Sequence, residues 1–129
     1  MIFVDTNVVL RFIVQDDPKQ FKVVQKLFRE ETIFISSSVI LEVEWVLRDA
    51  YGFSKEPILL YFRSLLNHQQ ITIENSDELS KALTWFDTGM DFADAFHLAF
   101  ARGCFATFDK RLVNRVKSLE NIPEAYIPV

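Results

Sequence analysis

The sequence predicts an α/β domain with a mostly parallel sheet of four or five strands, flanked by helices on both faces. Three observations favour this class. Short apolar runs of strand type recur along the chain, segments with the helical spacing of apolar residues separate them, and glycines stand where those helical segments end. A length of 129 residues corresponds to one domain, so we expect residues 1–129 to form a single domain.

The predicted elements of the first half are a strand at 2–4, a short helix or turn at 8–14, a helix from 18 to about 30, a strand at 32–35, and helices at about 39–51 and 58–66. The helix from 18 begins with proline after Asp17, which can cap it. It carries Phe21, Val24 and Phe28 on one face. The helix from 39 follows three serines that can cap it, and Gly52 ends it.

The predicted elements of the second half are a strand at 71–73, a helix from about 75 to 89, a helix from 91 to 103, a strand at 104–107 and a short strand at 126–127. Asn75 and Glu78 have the spacing of a capping box, which predicts a helix start there. Asp91 is the predicted cap of the next helix. Gly89 and Gly103 stand where these two helices should stop.

The composition excludes several classes of protein. No apolar stretch approaches the ~20 residues of a membrane span, and the first residues have no basic region of a signal peptide. The single cysteine excludes a disulfide framework and a cysteine-based zinc site. The three glycines form no phosphate-binding loop. A net charge of −4 argues against a general nucleic-acid coat protein. Because a membrane span, a signal peptide and a disulfide framework are all missing from the sequence, we expect a cytoplasmic protein that does not bind membranes.

Two aspartates follow predicted strands directly. Asp5 comes after the first strand, and Asp109 comes after the fourth. Each has a plain explanation as a turn residue or helix cap. However, ligands of parallel α/β sheets bind beyond the carboxyl ends of the strands, so both positions are also those of a functional site.

Glu42 lies on a predicted helix among the apolar residues Val39, Trp45 and Val46. An unpaired charge on a buried face is costly, so we predict that Glu42 faces the interior and needs a partner, either a hidden arginine or a site. Glu44 lies about 200° around the same helix and has Arg48 four residues on. We therefore predict that Glu44 is exposed and forms an ordinary surface ion pair.

Asp94 falls in the first turn of the helix that Asp91 is predicted to cap. A negative charge there suits the helix dipole, which is a sufficient structural reason for it. Its neighbours in sequence are otherwise apolar, and this favours a position facing a site. We expect Asp91 to cap the helix rather than to bind a ligand.

Together, Asp5, Glu42, Asp94 and Asp109 could converge on the carboxyl edge of one sheet. Clustered carboxylates need cations to stay ionised, and oxygen ligands without cysteine select Mg²⁺ or Mn²⁺. Such ions activate water and stabilise the charged transition state of phosphodiester hydrolysis. Without these four acids the formal charge of the chain would be zero, so its acidity could belong to the site.

An ordered set of short motifs resembles the PIN-domain nucleases. The motifs are Asp5-Thr6-Asn7, Glu42 in LEVEWVL, Asp94 in DFADAFHLA, and Thr107-Phe108-Asp109-Lys110. The resemblance is closest to the VapC-type toxins of toxin–antitoxin pairs, and it spans residues 1 to about 116.

The resemblance implies a Mg²⁺- or Mn²⁺-dependent endoribonuclease, a phosphodiester hydrolase with Asp5, Glu42, Asp94 and Asp109 as catalytic metal ligands. By the same resemblance, Thr6, Asn7 and Thr107 support the site. It also implies a homodimer and a cognate antitoxin protein that inhibits the enzyme. Lys110 or Arg111, directly after Asp109, is the candidate contact for a phosphate of the RNA substrate.

Other readings compete with a nuclease. A receiver domain would need an acidic pair after the first strand, and a haloacid-dehalogenase-like phosphatase would need an aspartate where Asn7 stands. A non-catalytic interaction module would leave the acids without a purpose. His97 could touch substrate, although histidine on a helix face is more often structural, and capping explains Ser36-Ser37-Ser38 better than nucleophilic chemistry.

Overall fold

One or two helices separate consecutive strands along the chain in the predicted order, and one further helix lies between the last two strands. A computed structural model describes all residues, 1–129. The strands are β1 (Ile2–Phe3), β2 (Ile33–Ile35), β3 (Ile71–Ile73), β4 (Phe105–Ala106) and β5 (Ala125–Tyr126). The helices are α1 (Thr6–Val14), α2 (Pro18–Glu30), α3 (Ser37–Asp49), α4 (Lys55–Asn67), α5 (Ser76–Asp87), α6 (Phe92–Phe100) and α7 (Lys110–Lys117). The α/β class is therefore confirmed.

The five strands belong to two sheets, and every pairing is parallel. One sheet has the order β1-β2-β3, and the other joins β4 to β5. Residue contacts group the chain into an N-terminal unit, Met1–Ser76, and a C-terminal unit, Asp77–Val129. Each sheet lies in one unit, and the expectation of a single domain stays a prediction.

In the sheet of the N-terminal unit, alternate residues of β2 and β3 are buried, whereas both residues of β1 are exposed. Ile33 and Ile35 of β2 are fully buried, and Ile71 and Ile73 of β3 are 9% and 6% exposed. Between them, Phe34 is half-buried and its register partner Thr72 is exposed. This alternation is what a strand's period of two requires when one face packs against helices.

The helix starts of the N-terminal unit follow the predicted capping chemistry. Asp17 accepts a hydrogen bond from the Gln20 amide at 3.0 Å, with Pro18 as the first residue of α2. Ser36 caps α3 by accepting from the Val39 amide at 3.4 Å. The segment after β1 is a helix rather than a turn, because Asp5 caps α1 in the same way.

The predicted capping box at the start of α5 is wrong. Asn75 adopts a left-handed φ of 55°, and its side-chain amide Nδ2 donates to the Ser37 hydroxyl at 3.1 Å. Glu78 instead accepts from Arg102 at 2.9 Å. Both side chains found tertiary partners that the spacing of two residues in the sequence could not reveal.

Glycine ends two of the helices as predicted. Gly52 has φ +71° and Gly89 has φ +107°, values that residues with a side chain rarely adopt. No helix of the structure is both long and apolar enough to cross a membrane.

Candidate active site

Three aspartates of the C-terminal unit line one cavity of about 300 Å³, called the acidic cavity below. Its lining residues are Gly89, Met90, Asp91, Asp94, Asp109, Arg111, Leu112 and Arg115. The acids come from the starts of α6 and α7, two helices that the sequence places apart. The structure thus brings together two of the four predicted catalytic acids, Asp94 and Asp109.

The local sequence explains how these acids are held. Asp91 caps α6 by accepting from the Asp94 amide at 3.1 Å, as predicted. Asp109 caps α7 through one oxygen, which accepts from the amides of Arg111 at 2.9 Å and Leu112 at 3.2 Å. Capping and a functional role are compatible here, because a carboxylate used as a cap through one oxygen keeps the other available.

The environment of Asp94 disfavours its charged form. Burial raises the pKa of the Asp94 carboxyl above its ordinary value, repulsion by Asp91 and then by Asp109 raises it further, and His97 acts in the opposite direction. A carboxyl group in a cavity, with a pKa raised by desolvation and by like charge, is a typical candidate for a functional group. Cation binding in the cavity would relieve this repulsion.

Positive charge also faces the acidic cavity. Arg111, a predicted phosphate contact, lines it, whereas Lys110 is exposed and is not among its lining residues. Arg115 was not predicted: it lies one helical turn after Arg111, and its guanidinium donates to the Thr88 carbonyl at 2.8 Å. A Cβ atom at Gly89 would stand 3.2 Å from this guanidinium, so glycine gives Arg115 the room to pack there.

Thr107 supports the loop that carries Asp109. Its hydroxyl accepts from the Asp109 amide at 3.0 Å, two residues along the chain. This turn sets the backbone from which the carboxylate caps α7. The role that the resemblance implies for Thr107 in the site stays a prediction.

In the N-terminal unit, the other two predicted acids lie next to the same threonine. Thr6 follows Asp5 in sequence, is 7% exposed, and donates its hydroxyl hydrogen bond to Glu42 Oε1. Asp5 caps α1 by accepting from the Val8 amide at 3.2 Å. The bond between Thr6 and Glu42 joins residues 36 positions apart and ties α3 to the start of α1.

A second cavity of about 450 Å³ lies between α1 and α2 in this unit. Asp5 and Asn7 line it, together with Arg11, Lys19 and apolar side chains. Arg11 and Lys19 were not predicted from the sequence. In the sequence, they are basic residues on two consecutive helices that follow an acid at the end of a strand. This pattern is too common to identify a site.

The predicted burial of the two α3 glutamates is wrong in both cases. Glu42 is exposed, and Glu44 is only 3% exposed. The ion pair between Glu44 and Arg48 does form, at 3.1 Å, but the Glu44 side chain in it is buried. The buried stripe of α3 runs through Ile40, Val43 and Leu47, and Glu44 lies within that stripe.

The donor chemistry of the acidic cavity fits a hard divalent cation. Carboxylate oxygens line the acidic cavity, and Mg²⁺ and Mn²⁺ prefer such ligands. No three His, Cys, Asp or Glu side chains lie close enough together to hold a metal ion as a group. Convergence of all four acids on one cation therefore stays a prediction.

A comparison with protein families gives one finding. A family model described as PIN domain matches residues 2–118 of the chain. The matched range contains all four predicted acids and Thr107. No curated protein matches the chain, and no solved structure matches it.

Proposed function

Because the chain belongs to the PIN-domain family of nuclease-type domains, we propose that it is a Mg²⁺- or Mn²⁺-dependent endoribonuclease. The observation that carries this proposal is the acidic cavity, where Asp94 and Asp109 stand beside Arg111 and Arg115. Carboxylates provide for a cation, and guanidinium groups provide for a phosphate. The family match also decides against the receiver and phosphatase readings of the fold.

In this proposal, Asp5, Glu42, Asp94 and Asp109 would hold the cation. When bound, it would activate the attacking water and neutralise the charge that develops on the phosphodiester. Thr107 keeps the Asp109 loop in place, and Thr6 orients Glu42 through its hydrogen bond. Arg111 binds a backbone phosphate of the RNA, and Lys110 is a further candidate for that contact.

The cleavage assay has a simple design. Purified full-length protein is incubated with total RNA in chelator, and then with Mg²⁺ or Mn²⁺ restored in excess. We expect endonucleolytic fragments with either cation and none in chelator, because the acids alone cannot activate water. Intact RNA in all conditions, from folded protein, would favour the non-catalytic interaction module instead.

We further propose that the enzyme is the toxin of a VapC-type toxin–antitoxin pair. The resemblance of the four acid motifs supports this assignment. Induced expression in a bacterium should then arrest growth, and co-expression of a small DNA-binding protein encoded by the adjacent gene should restore it. The proposal requires that, where growth is restored, the two proteins form a complex and RNA cleavage is lost.

The proposal includes a homodimer in the cytoplasm. Large apolar side chains remain exposed on the chain, including Phe3, Trp45 and Leu60 at 68%, 53% and 69% exposure. Apolar area of this kind commonly marks an interface. Light scattering over a dilution series should report twice the mass of the chain at micromolar concentration, and a monomer mass at every concentration would contradict the dimer.

A further inference from the structure

A third cavity, of about 570 Å³, lies in the N-terminal unit and has a different chemistry. It lies among the ends of α1, α2 and α4, and we call it the amide cavity because carboxamides dominate its polar lining. Gln25, Asn67 and Gln69 contribute three of these side chains. None of its lining residues is acidic, and Arg29 supplies its permanent charge.

The floor of the amide cavity is aromatic. Phe12 stacks on the buried Phe28 with ring centroids 4.2 Å apart. His68 meets the Phe12 ring edge-on at 5.6 Å. The His68 and Phe12 side chains are half-buried, so part of each ring faces the cavity.

Three polar side chains around this floor have no partner within the protein. The side chains of Gln25, Gln69 and Arg29 make no hydrogen bond or ion pair in the structure. His68 Nδ1 accepts from the Gln70 amide at 3.1 Å, so the neutral ring carries its proton on Nε2. The cavity therefore presents amide donors and acceptors, a ring N–H and a guanidinium beside an aromatic surface.

This set of groups matches the parts of a nucleotide. A base needs a flat aromatic surface and in-plane hydrogen-bonding partners, and carboxamides pair with the edges of bases. A phosphate needs a fork of N–H donors such as arginine. The volume lies within the range of small-molecule sites.

We propose that the amide cavity binds one ribonucleotide unit, with the base against Phe12 and His68 and the phosphate at Arg29. The unit is either a free nucleotide or one residue of an RNA strand, since both carry the same base, ribose and phosphate. Gln25 and Gln69 select among bases through their edges.

The amide cavity lies near the amino ends of the strands, whereas Asp5 lies beyond the carboxyl end of β1. Gln70, the residue before β3, accepts from the Ile33 amide at 2.7 Å, where β2 also begins. Asp5 follows the end of β1, which runs parallel to β2. The proposed site is therefore separate from the predicted catalytic acids and does not depend on cleavage.

The test is a calorimetric titration of the full-length protein with AMP, GMP, CMP, UMP and inorganic phosphate, all in chelator so that cations do not contribute. The variants are Arg29→Ala and Gln69→Ala. Arg63→Ala is the matched control, because Arg63 is an exposed arginine of α4 outside the cavity. A short single-stranded RNA is titrated in parallel.

We expect saturable binding of one nucleotide per chain. Arg29→Ala should raise the dissociation constant for every nucleotide about tenfold or more, since it removes a charged hydrogen bond. Gln69→Ala should change the order of preference among the bases, and Arg63→Ala should change neither. Tighter binding of the RNA than of any mononucleotide identifies a strand as the ligand, and the reverse identifies a free nucleotide.

Three results would overturn the proposal. One is the absence of saturable binding by any nucleotide and by the RNA. Another is equal affinity for inorganic phosphate and the nucleotides, which shows that no base is recognised. The third is equal binding by the Arg29→Ala, Gln69→Ala and Arg63→Ala variants, which places the ligand elsewhere. Each of these results has the same meaning whether or not the protein cleaves RNA.

Discussion

Replacing Asp94 by Asn is expected to lower metal-dependent RNA cleavage by ~100-fold or more while the protein still folds. The substitution keeps the shape of the side chain but removes a charge that the cation and the transition state need, and the loss of one such electrostatic contact typically costs that much. Asp109→Asn should have a similar effect, because both carboxylates line the acidic cavity. Initial rates of fragment formation at saturating Mg²⁺ measure the loss.

The stability of the Asp94→Asn variant supplies an independent readout. The pKa of Asp94 is raised in the folded state. Ionisation of this carboxyl therefore destabilises the native protein once the pH rises above about 3.9, the pKa of aspartate in the unfolded chain. Without cations, the variant should melt at a higher temperature than the natural protein at pH 7. The gain should vanish at about pH 3, where Asp94 is protonated in both states.

The matched control is Asp77→Asn. Asp77 is an exposed acid in the first turn of α5, in the same unit, and it does not line the acidic cavity. Its replacement should leave the cleavage rate within a factor of about two, as expected of an exposed surface position. If Asp77→Asn and Asp94→Asn reduced cleavage equally, the loss would reflect total charge and not the site.

Replacing Glu42 by Gln and Glu44 by Gln should separate activity from stability. Glu42 is exposed and accepts from Thr6, so Glu42→Gln should leave the free energy of unfolding nearly unchanged and reduce cleavage by ~100-fold. Glu44 is buried and paired with Arg48, so Glu44→Gln should cost about 1 kcal/mol of stability and leave cleavage intact where the protein is folded.

Urea unfolding and RNA cleavage at matched metal concentration measure the two effects on the same preparations. Arg48 is half exposed, which lets water solvate its charge once the partner is removed, so the cost stays well below that of a fully buried broken pair. Equal cleavage by the two folded variants would remove Glu42 from the proposed site.

The positions of strands, helices and caps could be predicted because their causes are local. Asp17 and Asp91 cap the helices that follow them, and Gly52 and Gly89 adopt the left-handed φ that ends a helix. The failure at Asn75 has the opposite cause: its partner, Ser37, is 38 residues away. Local chemistry predicts a cap only when no tertiary partner competes for the side chain.

The candidate site shows the same division. Strand ends and helix starts marked Asp5, Asp94 and Asp109 in the sequence, because parallel sheets place function at those positions. The sequence did not reveal that Arg115 turns into the acidic cavity, since that depends on the packing of α7 beside Gly89.

By itself, the sequence determined the α/β class, the order of the elements and the PIN family, since all three rest on apolar periodicity and short motifs. Only the tertiary structure decided which face of α3 is buried. Apolar residues surround most of this helix, so the neighbours of Glu42 indicated the wrong face, and the stripe through Ile40, Val43 and Leu47 is the interior one. Glu44 is buried and Glu42 is exposed because a helix turns about 200° in two residues, and packing against neighbouring elements selects which of the two opposite sides meets the core.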